Sequence, residues 1–349
     1  MKIVHLIYCM RVGGAQTMLV DIMNEQCKDN DVHLFIINND YTDYLINEIN
    51  KNVRVHKLGR PVGSINPYYI IKLNILLFKL SPDVIHIHNS SIIKLVFLKN
   101  TPKILTVHDT GLDVSLLNLY NKIVAISKSV CHDIETRSGI KCCIIENGIV
   151  VNNIKYINYK GVTNNSKTYR IVQVSRLMLP KKGQDILIKA MSILVRKGYN
   201  IELSLIGIGE SETEIKRVIK SENLEKKVHF LGLKDRNYIY EHLCEYDLFV
   251  QPSRNEGFGL TVAEAIASGI PVLVSNIEGP MEIIKNGIYG VFFKNGNVHD
   301  CAEKIEYIIN NKYVVDSVAN RLHIHKFYDI KVTVDKYIKL YKMLIDDDK

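Results

Sequence analysis

Short apolar runs alternate with longer segments of helical periodicity along most of the chain. In the first half, the apolar runs lie at residues 2–8, 32–37, 53–57, 83–88, 103–109 and 123–127. Continuous runs of this length predict strands that are buried on both faces, as in a parallel sheet. The intervening segments 17–27 and 128–136 repeat apolar residues at helical spacing. The pattern therefore predicts a doubly wound α/β domain, in which ligands bind at the carboxyl ends of the strands.

The same alternation restarts after a polar stretch. Residues 151–167 are rich in Asn and have weak periodicity, which is typical of a linker. The strands predicted beyond it lie at 170–175, 201–206, 228–231, 246–250, 272–275 and 290–293. A chain of 349 residues exceeds the usual size of one domain. We therefore expect one domain at 1–163, a second at 164–325, and a terminal helix within 326–349.

Composition and charge narrow the class of protein. With 47% hydrophobic and 23% charged residues, the chain is globular rather than disordered. It has no run of 18 apolar residues and no signal-peptide pattern, so we expect a cytoplasmic protein. The seven cysteines are scattered without Cys-x-x-Cys spacing, which predicts reduced thiols instead of a disulfide framework or a zinc site.

The net charge of +8 is modest but uneven, since residues 1–160 hold 18 Lys and Arg against 13 Asp and Glu, and residues 161–349 hold 27 against 24. This excess suits an anionic ligand or a membrane surface. Basic runs interleaved with aromatic residues are absent from the sequence, so nucleic acid is not an expected partner.

The strongest candidate for chemistry is the segment 251–264, Gln-Pro-Ser-Arg-Asn-Glu-Gly-Phe-Gly-Leu-Thr-Val-Ala-Glu. It predicts a strand end, a glycine loop and a helix N-terminus. Such a turn offers backbone N–H groups and a partial positive charge to an anion, and its glycines allow close approach. Glu256 in the loop and Glu264 inside the helix could face one ligand. On spacing alone, an ordinary loop-to-helix junction with solvated acids remains the alternative.

A second candidate is the basic segment that opens the helix predicted at 184–197. Arg176 offers a fork of donors and Lys182 a point charge, a combination that suits a diphosphate. Lys181 offers the same charge one residue earlier, and the spacing leaves the choice between the two lysines open. Solvated bases are the alternative, although cations at a helix start oppose the helix dipole unless an anion is present.

The first half adds a Gly13-Gly14 turn between the first strand and its helix, a typical position for a phosphate. His86, His88 and His108 end two predicted strands and should lie near one rim of the sheet. No acid or cysteine stands at a confirming spacing, so we predict no metal site there, and histidines without a chemical role remain the alternative for His86 and His88.

An apolar segment at 67–80 with Lys72 and Lys79 allows a membrane interpretation, and the segment 92–103 adds three further lysines. A basic amphipathic helix can lie on anionic lipid. A helix packed on the sheet is the alternative, and we favour this burial, with a basic rim that could still touch a membrane. The residues that suit the packed face are Tyr69, Ile70, Leu73, Leu76, Leu77 and Leu80.

Taken together, these motifs resemble the family-4 retaining glycosyltransferases of the GT-B fold. The resemblance runs through 247–260, the phrase Glu-Ala-Ile-Ala-Ser-Gly-Ile-Pro-Val that begins at Glu264, and Gly279-Pro-Met-Glu282, and it includes that family's pair of glutamates eight residues apart. It implies two Rossmann-like domains that face a central cleft, with a C-terminal helix that crosses back to the first domain.

The resemblance also implies an activity, namely transfer of a sugar from a nucleotide sugar with retention at the anomeric carbon. A UDP-sugar is the favoured donor and a GDP-sugar the second choice. The implied acceptor is a glycan, lipid-linked at the inner face of the cytoplasmic membrane, in bacterial surface polysaccharide synthesis. A nucleotide-sugar epimerase of the same fold and a catalytically silent nucleotide-binding protein are the alternatives.

Site roles follow from the same resemblance. Arg176 and Lys182 would stabilise the leaving diphosphate, aided by the loop of Gly13 and Gly14. Glu264 would bind the ribose hydroxyls, and His108 would contact the donor sugar near the reacting carbon. The residues expected to hold the donor sugar are Glu256, Gly257, Phe258, Gly259 and Leu260. No obligatory divalent cation or other cofactor is expected.

Overall fold

The computed structural model describes residues 1–159, 168–310, 313 and 315–347. It contains two compact units, Met1–Ile149 with Ile330–Lys349, and Val150–Asp329. The units divide at residues 149 and 329, whereas the sequence pattern suggested 163 and 325. The segment after 149 belongs to the second unit because Lys155 N donates to Tyr240 O and Ile157 N to Ser268 O, each at 3.0 Å. The rest of the predicted linker, 160–167, lies outside the described residues.

The first unit is built on a parallel sheet. Its described strands are β1 (Lys2–Ile7), β2 (Asp31–Asn38), β3 (Arg54–Arg60), β4 (Val84–Ile87), β5 (Lys103–Val107), β6 (Lys122–Ala125) and β7 (Cys143–Ile144). They follow the order β3-β2-β1-β4-β5-β6-β7, and every pair is parallel. The helices of this unit that precede β7 are α1 (Gly14–Gln26), α2 (Asp43–Asn47), α3 (Tyr68–Leu80) and α4 (Lys128–Ser138). The strand order reverses between β1 and β4, the position at which doubly wound sheets bind ligands.

The second unit repeats this plan. Its described strands are β8 (Tyr169–Val174), β9 (Ile201–Ile206), β10 (Val228–Gly232), β11 (Leu248–Gln251), β12 (Val272–Ser275) and β13 (Val291–Phe293), in the parallel order β10-β9-β8-β11-β12-β13. Its described helices are α5 (Leu179–Lys182), α6 (Gln184–Arg196), α7 (Glu212–Ser221), α8 (Arg236–His242), α9 (Leu260–Ser268), α10 (Glu278–Ile283), α11 (Val298–Ile309) and α12 (Ser317–Tyr328). The reversal here lies between β8 and β11, whose carboxyl ends carry the two candidate segments. The sequence pattern did not predict α12.

The terminal helix α13 (Ile330–Asp347) packs on the first unit, as the resemblance implied. Tyr337 and Tyr341 on its inner face are fully buried. The Thr333 hydroxyl donates to Glu146 O at 2.9 Å. A Cβ on Gly148 would lie 2.6 Å from that hydroxyl oxygen, so only glycine permits this close approach.

Helix α3 has two apolar faces. Leu73 and Leu77 are buried, which confirms the packing interpretation for that side. The opposite face leaves Ile71, Ile75 and Phe78 exposed, by 54%, 50% and 76%. The residues predicted to pack on the sheet are buried or half-buried, and the exposed face consists of apolar residues outside that prediction. No helix within 1–159, 168–310 or 315–347 is long and apolar enough to cross a membrane.

The cysteines are free thiols, as expected. The close pair is not the sequence neighbours Cys142 and Cys143. Instead, the Sγ of Cys142 lies 2.6 Å from the Sγ of Cys131 on α4.

Candidate functional site

The loops that follow β8 and β11 are in direct backbone contact. The one-turn helix α5 ends at Gly183, whose φ of 65° is left-handed. A Cβ on Gly183 would lie 2.0 Å from the carbonyl oxygen of Pro252. A side chain at this position would therefore push the two loops apart. The Gln173 amide on β8 donates to Lys182 O at 3.1 Å and holds the end of α5 against the sheet.

This contact brings Lys182 and Glu256 together. The Nζ of Lys182 lies 2.6 Å from Oε2 of Glu256, and the two side chains are only 17% and 16% exposed. Gln251, the last residue of β11, donates its amide to the same carboxylate oxygen at 2.7 Å. The Thr261 hydroxyl donates to Oε1 of Gln251 at 3.3 Å. One carboxylate oxygen of Glu256 therefore contacts both the ammonium of Lys182 and the amide of Gln251.

The sequence motifs did not single out Gln251 as a site residue. Its signal was its position directly after the predicted strand 246–250, at the start of the segment that leads into the glycine loop. They also left the choice of lysine open, and the structure places Lys182 at Glu256. Lys181 contributes its backbone carbonyl, which accepts from Arg254 N at 2.8 Å.

Helix α9 begins directly behind this pair. Gly259 is its N-cap with a left-handed φ of 106°, and no side chain among the described residues caps the helix. The first N–H groups of a helix have no partner within the helix, so this end presents donors and a partial positive charge. Phe258 is buried against Tyr328, with ring centroids 5.7 Å apart, and supports the loop from below. Glu264 is 8% exposed, one helical turn further on.

The glycine loop is also held from α10. A Cβ on Gly279 would lie 2.9 Å from both Glu256 O and Phe258 N. This close approach gives a physical reason for glycine at position 279, which opens the phrase Gly279-Pro-Met-Glu282 of the resemblance. The residues predicted to hold a donor sugar, with Gly257 and Leu260 among them, therefore lie in one supported loop, which contacts Lys182 through Glu256.

The structure does not give Arg176 a direct contact with Lys182 or Glu256. Its guanidinium forms an ion pair with Glu210 at 3.1 Å, and both side chains are more than half exposed. Its carbonyl accepts from the Gln184 amide at 2.9 Å, which fixes the backbone there. The Gly207-x-Gly209 turn packs beneath the same loop, because a Cβ on Gly207 would lie 2.0 Å from Ser175 O. The glycines of this turn therefore allow it to pack closely against the backbone of the loop that carries Arg176.

In the first unit, Gly13 and Gly14 begin α1, and no described side chain caps this helix. The amide oxygen of Gln16 folds back to 2.8 Å from the position that a Cβ on Gly13 would take. The predicted phosphate turn therefore also presents an uncapped helix start, within its own unit.

The histidines of the first unit form a buried cluster that includes His5 on β1, which the sequence motifs did not single out. His5, His86 and His88 each place a ring nitrogen within 4.8 Å of the others. Each of the six ring nitrogens lies within hydrogen-bond distance of a partner, so the three rings belong to one hydrogen-bonded network. Burial lowers the pKa of His5 and of His108 to about 4. It also holds the pKa of His86 and His88 well below the usual value, so the rings are neutral at pH 7.

Both halves of the chain match known glycosyltransferase families. A family described as Glycosyltransferase Family 4 matches residues 12–153, and one described as Glycosyl transferases group 1 matches residues 157–323. An uncharacterized glycosyltransferase of Methanocaldococcus jannaschii is 28% identical over 97% of each chain. The O-antigen biosynthesis glycosyltransferase WclY of Escherichia coli is 23% identical over 99% of each chain.

A third relative matches a shorter stretch. It is the N,N'-diacetylbacillosaminyl-diphospho-undecaprenol alpha-1,3-N-acetylgalactosaminyltransferase of Campylobacter jejuni, 37% identical over 34% of this chain and 31% of its own. Among solved structures, Anabaena HepE in complex with UDP-glucose superposes with a TM-score of 0.81 over 98% of this chain and 99% of its own, at 20% identity. The chain belongs to the family-4-type glycosyltransferases of the GT-B fold, and it is a transferase.

Proposed function

We propose that the protein moves a sugar from a nucleotide sugar to a glycan acceptor with retention at the anomeric carbon. The observation that carries this proposal is the contact of Lys182 with Glu256 in front of the uncapped start of α9. A cation, a helix N-terminus and a glycine loop on one surface suit a diphosphate with a sugar attached. Glu264, one turn further on, suits the hydroxyls of a ribose.

The chemistry needs no protein nucleophile. The bond from the anomeric carbon to the phosphate breaks, and its electron pair stays on the diphosphate oxygen. The acceptor oxygen bonds to the same carbon from the same face and gives its proton to a phosphate oxygen. Lys182 stabilises the charge that develops on the diphosphate, with Arg176 once it leaves its surface pair with Glu210. Glu256 and the backbone of Gly257–Leu260 orient the sugar. The side chains of Lys182 and Arg176 are cations and not metal ligands, and we propose that transfer proceeds without a divalent cation.

The roles of Gly13, Gly14 and His108 at the same donor rest on the resemblance alone. The UDP-glucose complex of HepE supports a UDP-sugar as the donor. The names of the Escherichia coli and Campylobacter jejuni relatives support synthesis of a bacterial surface polysaccharide on a lipid-linked acceptor. These names also favour a transferase over an epimerase or a silent binding protein.

The first experiment is a calorimetric titration of the protein with UDP and with GDP, each with and without EDTA. Lys182→Met and Glu264→Gln are expected to weaken binding of the preferred nucleotide. Lys189→Met is the matched control, because Lys189 is an exposed lysine on α6. Loss of binding in EDTA would refute metal independence, and equal binding by all variants would refute the assignment of the site.

A second assay addresses the reaction. Donor is supplied with a lipid-linked glycan, and the coupling at the new anomeric centre is read by NMR. An inverted product would refute retention. Release of an isomerised nucleotide sugar without an acceptor would establish the epimerase instead.

We further propose that the exposed face of α3 rests on an anionic membrane surface. Ile71, Ile75, Phe78 and Phe97 line one shallow depression of about 310 Å³ together with Lys79. The Asn74 amide joins α3 to the following segment, since it donates to Leu95 O at 2.8 Å and accepts from Phe97 N at 2.7 Å. These hydrogen bonds fix Phe97 next to the exposed face of α3, so the apolar patch is an ordered surface.

Exposed lysines border this patch, and charge complementarity selects its partner. Lys79, Lys94 and Lys99 are exposed. Lys103 is not part of this rim, contrary to the sequence interpretation, because it is 8% exposed and its ammonium donates to Thr101 O at 2.8 Å. Each lysine near an anionic lipid surface contributes about 1 kcal/mol, and apolar side chains enter the headgroup boundary.

Vesicle sedimentation tests this surface. Vesicles with anionic lipid are expected to carry the protein down, neutral vesicles less, and added salt should weaken the binding. The variant Ile71→Ser/Ile75→Ser/Phe78→Ser should remain in the supernatant. Ile288→Ser is the control, because Ile288 is 67% exposed in the second unit. Equal sedimentation of the triple variant and the parent would refute the proposal.

A further inference from the structure

A buried hydrogen-bond network of the first unit meets at one side chain, Gln26 at the end of α1. Gln26 is 1% exposed. Its Oε1 lies 2.8 Å from Nε2 of His5, and its Nε2 lies 3.4 Å from the Tyr341 hydroxyl on α13. Two branches therefore leave the amide, one toward the histidines that end the strands and one toward the terminal helix.

The first branch runs from ring to ring. The Nδ1 of His5 lies 3.1 Å from Nε2 of His88, and the Nδ1 of His88 lies 3.5 Å from Nε2 of His108. His5 lies within β1, whereas His88 and His108 directly follow the last residues of β4 and β5. This branch ends at His108, the residue to which the resemblance gives a contact with the donor sugar.

The direction of every hydrogen bond in this branch follows from Gln26. A carboxamide oxygen only accepts, so Nε2 of His5 carries the hydrogen. A neutral imidazole has one N–H and one acceptor, so Nδ1 of His5 accepts from Nε2 of His88. By the same rule, Nδ1 of His88 accepts from Nε2 of His108. The relay therefore leaves Nδ1 of His108 as a bare acceptor.

Neutrality of the rings is the condition for this argument. Desolvation by burial is the first cause that lowers the pKa of all three histidines, and the value for His5 and for His108 is about 4. A neutral chain of rings can hold only one of two directions, because each ring that accepts on one side must donate on the other.

The end of the relay is open. The Nδ1 of His108 is buried and has no hydrogen-bond partner among the described residues. An unpaired buried polar atom costs about 1–3 kcal/mol, so such atoms are rare in folded proteins and call for an explanation. An acceptor that waits for a ligand hydroxyl is such an explanation.

We propose that Gln26, His5 and His88 are positioning residues that hold His108 in the Nε2-protonated tautomer, so that its Nδ1 accepts a hydrogen bond from a ligand hydroxyl. The identity of that ligand as the donor sugar rests on the proposed function. The tautomer itself does not, because it is a property of the free protein.

Nitrogen-15 NMR of the protein labelled at histidine reads the tautomer directly. The chain has 12 histidines, and a His108→Gln spectrum assigns the His108 signals. The expected result is a protonated Nε2 and a pyridine-like Nδ1 at His108. A protonated Nδ1 would overturn the proposal, since it is the outcome of the reverse orientation of the Gln26 amide. Bound zinc at the cluster in the purified protein would overturn it as well.

A variant pair tests the role of Gln26. Gln26→Leu removes the acceptor for His5, and the His108 signals should shift toward a mixture of tautomers. Thr106→Val is the matched control. The Thr106 hydroxyl lies 2.7 Å from Nε2 of His86 and belongs to the other branch, so this variant should leave the His108 tautomer unchanged. An unchanged tautomer in folded Gln26→Leu would overturn the relay, and the parent spectrum decides the tautomer even if that variant does not fold.

Kinetics with donor analogues test the purpose of the relay. Gln26→Leu should lower kcat/KM by roughly tenfold, the equivalent of one hydrogen bond to a polar ligand group. Among monodeoxy donors, the one that lacks the contacted hydroxyl should be used equally well by parent and variant. An equal loss with every analogue would mark a merely structural role and overturn the proposal. Absence of transfer with any donor would refute the proposed function, while the tautomer would still be decided by NMR.

Discussion

Substitution of Gly183 by alanine tests the contact on which the candidate site is built. The residue has a φ of 65°, and its added Cβ would lie 2.0 Å from Pro252 O, a backbone atom that cannot turn away. A left-handed conformation costs a residue with a Cβ about 1–2 kcal/mol. Forcing packed backbone apart costs about 1–3 kcal/mol more. Gly183→Ala should therefore destabilise the protein by about 2–5 kcal/mol.

Gly198→Ala is the matched control in the same unit. Its φ of 92° is also left-handed, but nothing lies within 4 Å of an added Cβ. In Gly198→Ala only the cost of the left-handed backbone conformation applies. Its φ of 92° lies further than that of Gly183 from the favoured left-handed value near 57°, so this cost is not smaller in the control, and the comparison does not exaggerate the effect of the contact. The difference between the two variants isolates the effect of the loop contact.

Thermal and urea unfolding followed by far-UV circular dichroism measure the difference, because the chain contains no Trp for fluorescence. Each kcal/mol should lower Tm by about 2–4 °C for a unit of this size. Gly183→Ala should also lose transferase activity at temperatures where it is folded, since Lys182 precedes Gly183 and would move away from Glu256. Equal stability and equal activity of the two variants would refute the claim that this contact builds the site.

Two further predictions concern charge. Lys182→Met and Glu256→Gln should each lower kcat by about 100-fold or more, and the double variant should be little worse than the poorer single one, because they share an ion pair. Fully additive losses would contradict that coupling. The second prediction concerns pH. The pKa of His5 is about 4 in the folded protein against an ordinary value of 6.5, so the stability that its neutral ring contributes is present above pH 6.5 and is lost as pH falls toward 4. The loss in the free energy of unfolding should approach about 3 kcal/mol and should appear as urea midpoints that fall with pH. His5→Gln should make the urea midpoint depend less steeply on pH. An equal pH dependence in the parent and the variant would contradict this prediction.

The strands and the site segments were predictable because their signals are local. The run that became β12 begins and ends at the residues that the pattern indicated, and the helix α9 begins directly after the glycine loop, where the sequence predicted a helix N-terminus. Buried parallel strands need continuous apolar residues, and a glycine loop before a helix is visible in the sequence itself. Glu256, Glu264 and Lys182 could therefore be named before the fold was known.

The partners of these residues were not predictable. Nothing local indicates that Gln251 holds Glu256, that Cys142 lies against Cys131, or that one side of α3 stays exposed. Helix α12 was also missed. Each of these facts depends on which distant segment covers a residue, and periodicity within one segment carries no information about that.

By itself, the sequence determined the α/β class, the parallel strands, and the segments that we propose bind a diphosphate and a sugar, since periodicity, glycine and charge act over a few neighbouring residues. Only the tertiary structure decided which of them meet. It joined Lys182 to Glu256 through the approach of Gly183 to Pro252, and it aligned His5, His88 and His108 behind Gln26. The physical reason is that hydrogen bonds and ion pairs act over about 3 Å, and the sheet order brings residues far apart in the chain to that distance.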